Sequence, residues 1–102
     1  MPQTNNLPPS FDREHGCTEA EWRGWLPGAV RHHALDLSVP GQATISIGSG
    51  RLRLQWTVLP PRQIALARFP RLQVAYRFTD VDDAGRASFM RYFDLYMQRG
   101  GG

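Results

Sequence analysis

Several groups of residues in this 102-residue chain have the types and spacing that chemistry needs. The most suggestive lies in the middle. Arg53, Gln55, Gln73 and Arg77 alternate with apolar residues in two strand-like runs, and Phe69 stands near one end of them. Period-two alternation places the four polar residues on the water-facing side of a sheet. Ala65, Ala67 and Ala75 fall on the same parity and would form a shallow floor among them. Guanidinium groups hold carboxylates and phosphates by paired hydrogen bonds, and an aromatic ring can stack on a base. The chemistry implied is binding, with an acidic protein segment, a small anion or nucleic acid as partner. The plain alternative is a solvated face whose long Arg stems cover the alanines.

A helical stripe of Phe89, Met90, Tyr92, Phe93, Tyr96 and Met97 has a second possible use. Met and aromatic side chains adapt to varied ligands, so a small-molecule pocket between helix and sheet is one reading. The other is core, which a domain this small needs in order to fold. Glu14, His15, Cys17, His32 and His33 are all metal-ligating types. Their spacing matches no standard site, there is no second Cys, and adjacent histidines on a strand would point to opposite faces. No metal and no cofactor is expected. Nothing marks Cys17 as an activated thiol. Asp80, Asp82 and Asp83 suit a helix start, with Asp80 as N-cap. No carboxylate pair has a reason to differ in pKa, so no catalytic residue is assigned and the chain reads as a non-enzyme. Arg68 falls on the core-side parity beside Leu54 and Leu72, where it needs a carboxylate or a route to water.

The tail Arg99-Gly100-Gly101-Gly102 resembles the diglycine end of ubiquitin-like modifiers and sulfur carriers. That resemblance implies a carrier whose terminal carboxylate a partner adenylates. Here, however, the tail follows a helix instead of a strand, and a helix stop explains it equally well.

The elements that must position these groups follow from patterning. Met1 to Ser10 is polar and Pro-rich, and residues 1–12 read as a loose arm. Thr18 and Glu21 have capping-box spacing, starting a short helix that carries Trp22, Trp25 and Leu26 and stops at Pro27-Gly28. Runs at 35–39, 43–47, 52–58, 63–69 and 72–78 alternate with period two. Turns at Pro40-Gly41, Ser49-Gly50, Pro60–Arg62 and Phe69–Arg71 join them. The expected register pairs Ile47 with Leu52, Val58 with Ile64, and Leu66 with Val74. The fold expected is α+β: a five-stranded antiparallel meander curled around the C-terminal helix, with a short N-terminal helix. Residues 13–99 form its single domain, and 100–102 a flexible tail.

Composition bounds the rest. An apolar share of 41% with 21% charged residues fits one globular domain. Twelve basic residues, all Arg, give a net charge of +3. Residues 31–79 carry +6, against −2 before and −1 after them. Positive charge therefore concentrates on the strand region, unless the absence of Lys only reflects codon bias. One cysteine excludes an internal disulfide and fits a reducing compartment. No apolar run is long enough to span a membrane, and the N-terminus lacks signal-peptide character, so a cytoplasmic protein is expected. Nothing fixes the oligomeric state, though the balance favours a monomer.

The runs Leu59-Pro60-Pro61-Arg62-Gln63-Ile64-Ala65-Leu66 and Phe93-Asp94-Leu95-Tyr96-Met97-Gln98-Arg99-Gly100-Gly101-Gly102 resemble those of small proteobacterial proteins without an assigned activity. The resemblance covers residues 50–102. It implies a bacterial cytoplasmic setting and supplies no site residues.

Overall fold

Alternation of period two dominates residues 35–79, and those residues build most of the sheet. The computed structural model describes residues 7–100. It runs β1 (Ser10–His15), α1 (Glu19–Ala29), β2 (Leu35–Asp36), β3 (Gln42–Ile47), β4 (Gly50–Ile64), β5 (Ala67–Thr79) and α2 (Asp83–Gly100). The five strands form one antiparallel sheet in the order β1-β5-β4-β3-β2. Both helices lie on one face of it. The α+β class is the expected one, but the strands differ in identity from those expected.

The largest difference is at the prolines. Pro60-Pro61 and Pro70 do not turn the chain. β4 runs straight through to Ile64, and β5 returns from Ala67, with Ala65-Leu66 as the connection. Strand prolines are tolerated where the missing N–H faces water, and β3 ends its pairing at Gln55, well short of Pro60. The extra residue at Pro60-Pro61 is absorbed by a bulge between Leu59 and Arg62. Ala65 takes φ +53°, a conformation uncommon for a residue with a Cβ, and no residue type there signals it. The run at 63–69 is therefore the tip of one long hairpin, and Trp56 faces Val74 where Leu66 was expected.

The fifth strand comes from the segment expected to be loose. β1 pairs with β5 from Ser10 to His15. Its inward positions are Phe11, Arg13 and His15, which use aromatic or long stems in place of aliphatic ones. The β3–β4 turn is Gly48-Ser49, one residue earlier than expected, with Gly48 at φ +58°. The resulting shift of two pairs Ile45 with Leu52 and preserves the buried face.

The capping box at Thr18 is present in full, with Glu21 N donating to Thr18 and Thr18 N donating to Glu21. α1 then continues through Pro27-Gly28, where a stop is expected, to Ala29. Trp22, Leu26 and Ala29 form its buried stripe. Gly28 allows Tyr96 of α2 to approach so closely that any Cβ there would clash with the ring. The N-cap of α2 is Asp82 and not Asp80: Gly85 N donates to the Asp82 carboxylate at 2.8 Å. Asp80 instead occupies φ +58° in the preceding turn.

The core lies between the sheet and the helices. Leu52, Leu54, Leu72, Val74 and Tyr76 of the hairpin base meet Trp22, Leu26, Met90 and Phe93, all fully buried. Trp22 and Tyr76 each pack edge-on against Phe93 at 6.1 Å between ring centroids. Arg86 is buried beside this stripe. It donates to the carbonyls of Leu7 at 2.9 Å and Val81 at 2.6 Å and pairs with Asp83, fastening the N-terminal segment to the start of α2. Residues 1–6 and 101–102, which hold the first half of the expected loose arm and the end of the glycine tail, lie outside the described residues.

Phe93 touches both helix and sheet partners, and the rigid rings around it cannot collapse into the space it would vacate. Phe93→Ala should cost about 3–5 kcal/mol. Urea denaturation checks this, with a lowered midpoint and an unchanged slope expected.

Candidate functional site

The uncovered face of the sheet is set by strand parity. Cross-strand pairing puts Arg53 directly opposite Arg77, Gln55 opposite Ala75, Thr57 opposite Gln73 and Arg51 opposite Thr79. Arg53, Gln55, Gln73 and Arg77 are thus neighbours, exposed and on one face, as the alternation predicts. Of the expected alanine floor only Ala75 is there. Ala65 and Ala67 lie at the hairpin tip, because the chain does not turn back at Pro60. Phe69 is also displaced. It pairs with Arg62 on the hairpin's outer half and is 47% exposed. Eight strand residues separate it from Arg77, about 26 Å at the usual rise. One small ligand cannot touch both. Arg68 is exposed on the same outer half, opposite Gln63, and needs no buried carboxylate.

The charge on this face is uneven. At one end Arg71 grips both oxygens of Glu14 at 3.1 Å, with Arg62 at 3.5 Å. The Arg71 hydrogen bonds are the main reason the Glu14 carboxyl is held below the usual carboxylate range. One carboxylate there answers two guanidiniums. At the other end Arg77 pairs with Asp12 at 3.1 Å and donates to the carbonyls of Phe11 and Tyr76. Arg51 and Arg53 have no ion-pair partner among the described residues. Like charges directly opposite on adjacent strands repel, and of the facing Arg53 and Arg77 only Arg77 has an ion-pair partner among the described residues, Asp12. Arg51, one step along the same face, was missed in the sequence reading, although its parity is that of Arg53.

A second cluster lies between β1 and α2. A recess of about 250 Å³ is lined by Arg13, His15, Asp94, Met97 and Gln98. Arg13 reaches Asp94 at 2.8 Å, and its guanidinium sits over the rings of Phe11 and Tyr76. His15 Nε2 and the Tyr76 hydroxyl share a hydrogen bond of 2.6 Å. Burial, and then the nearby Arg13 charge, hold His15 below its ordinary pKa. Burial pushes the Tyr76 hydroxyl far above its ordinary value. A neutral imidazole bonded to a phenol that stays protonated is a satisfied polar network, and it explains how an edge strand with so few aliphatic residues docks.

The remaining candidates separate in space. Cys17 is buried, and burial pushes its thiol up to about 11, which keeps it protonated and a poor nucleophile at neutral pH. His32 and His33 do not alternate on a strand. They stack on each other at 4.4 Å in the turn after α1, and His33 packs against Phe89. Among the described residues no three His, Cys, Asp or Glu side chains converge on one point. Phe89, Phe93 and Trp56 are buried between helix and sheet. No described helix is long and apolar enough to cross a membrane. No family model, curated protein or solved structure matches the chain, so its site is read from its own geometry.

The His15 environment has a measurable consequence. A base whose folded pKa lies below its unfolded value of 6.5 stays neutral in the fold while the unfolded chain protonates. Its contribution is therefore fully present above pH 6.5 and is lost as pH falls toward the folded pKa. Stability measured by denaturation should drop from pH 7 toward pH 5, and His15→Gln should flatten that slope.

Proposed function

We propose that this protein is a non-enzymatic binding module whose open sheet face takes an acidic segment of another protein. The observation that carries this reading is the Arg51–Arg53–Arg77 locus, exposed and compensated among the described residues by Asp12 alone. An extended partner fits better than a small anion, because the face is flat and its polar groups run along the strands. Gln55, Thr57 and Gln73 offer amide and hydroxyl groups to a main chain lying across them. A protein segment fits better than nucleic acid, because the one aromatic residue of the set, Phe69, lies too far along the hairpin to stack bases beside the arginines. A small-molecule site under the helix loses support, since Trp56, Phe89 and Phe93 occupy that space. A cytoplasmic setting accords with the single buried thiol of Cys17. The glycine-tail carrier reading concerns residues 101–102 and draws no support from the geometry of the face.

Arg51→Glu with Arg53→Glu tests the assignment without disturbing the Arg77–Asp12 pair that helps dock β1. Binding of an Asp/Glu-rich peptide, followed by fluorescence anisotropy, should weaken by about tenfold or more in the double variant. It should also weaken with added salt in the wild type. Equal affinity in both proteins would remove this face from consideration.

A further inference from the structure

The two ends of the β4–β5 hairpin carry complementary surfaces. From Thr57 to Arg71 the hairpin has no strand beside it among the described residues, because β3 stops pairing at Gln55 and β1 at Leu72. A lone two-stranded ribbon is marginal in water. This one also presents apolar side chains at its tip, where Leu66 is 99% exposed and Ile64 58%. Its edges are blunted by Pro60, Pro61 and Pro70 and by the bulge, all of which discourage pairing with a further strand. The ribbon is therefore suited to contact through side chains. Residues 57–71 hold Arg62, Arg68 and Arg71 and no acid; Arg62 and Arg71 are drawn to Glu14 of β1, which leaves Arg68 as the ribbon's cation without an ion-pair partner among the described residues.

An open pocket of about 670 Å³ lies at the other end of the same hairpin, between the β3–β4 turn and the β5–α2 connection. Ile47, Phe78 and Val81 line it, with Asp80, Asp82 and Ser49 at it and Arg86, held by Asp83, also in its lining. Asp80 has no ion-pair partner among the described residues. The volume is in the range of pockets that bury a ligand-sized group.

We propose that the hairpin tip of one copy seats in this pocket of a second copy, with Leu66 and Ile64 against Ile47, Phe78 and Val81. Arg68 then lies against Asp80, each of them without an ion-pair partner among the described residues. Tip and pocket are at opposite ends of one hairpin and cannot meet within a chain. The contact is head-to-tail, so each copy offers one tip and one pocket, and association continues into a ring or an open chain. A contact this small is weak, salt-sensitive and dependent on concentration.

Two substitutions at exposed positions separate the halves of the contact. Leu66→Glu disables the tip and leaves the pocket. Ser49→Arg fills the pocket mouth with positive charge and leaves the tip. Sedimentation velocity is run from about 10 μM to about 1 mM, the range in which so small an interface forms. Circular dichroism confirms that both variants fold. The wild type should grow in size with concentration, and each variant alone should stay monomeric. An equimolar mixture of the two should give a heterodimer and nothing larger, because only one productive tip–pocket pair remains. A wild type that stays monomeric throughout overturns the proposal, as does a Leu66→Glu protein that still associates. A Ser49→Arg protein that still associates would show tip-to-tip contact and overturn the pocket assignment, as would a mixture that fails to pair when both variants have lost self-association.

Discussion

Everything in this fold depends on the antiparallel pairing of β4 with β5, which continues past the bulge between Leu59 and Arg62. The basal half of that hairpin carries a strict alternation, Leu52, Leu54 and Trp56 against Val74, Tyr76 and Phe78, and all of these are buried. That face draws both helices onto it. The other face of the same residues necessarily carries Arg51, Arg53, Gln55, Gln73 and Arg77. Core and candidate binding face are thus two consequences of one register. A slip by a single residue would exchange them.

The hairpin also outruns the sheet that it organises. β3 and β1 cover its flanks only to Gln55 and Leu72. Beyond them the ribbon continues through prolines at the bulge, where the ladder is already broken and no third strand among the described residues needs their N–H groups. The prolines that would end a central strand are tolerated here because each strand of the ribbon has become an edge strand, its outer side unpaired among the described residues. One pairing therefore produces a packed base, a polar face and a projecting arm. The face and the arm offer different chemistry: positive and flat on one, apolar and narrow on the other.

Much of this was legible in the sequence. The period-two runs, the capping box of Thr18 and Glu21, and the stripe of Phe89, Met90 and Phe93 each follow from local patterning and survive in the structure. Four of the five residues assigned to the binding face lie together because parity alone places them. The failures have physical causes. Pro60-Pro61 reads as a turn because prolines punctuate chains, but that rule presumes a strand flanked by neighbours. The true turn at Ala65-Leu66 bears no Gly, Asn or Asp. β1 escaped notice because its inward residues are Phe11, Arg13 and His15. Their docking rests on the Arg13–Asp94 ion pair and the His15–Tyr76 hydrogen bond, long-range contacts that no local pattern encodes.

The continuity of the hairpin is the claim on which face and arm both stand. Cross-strand nuclear Overhauser contacts in the isotopically labelled protein test it most directly. The account predicts contacts joining Arg62 with Phe69 and Ile64 with Ala67, beside those joining Trp56 with Val74. Contacts joining Val58 with Ile64 and Trp56 with Leu66 would contradict it. They would mean that the chain turns at Pro60–Arg62, folds the arm back as a strand of the sheet, and leaves neither the projecting tip nor the open arginine face as described.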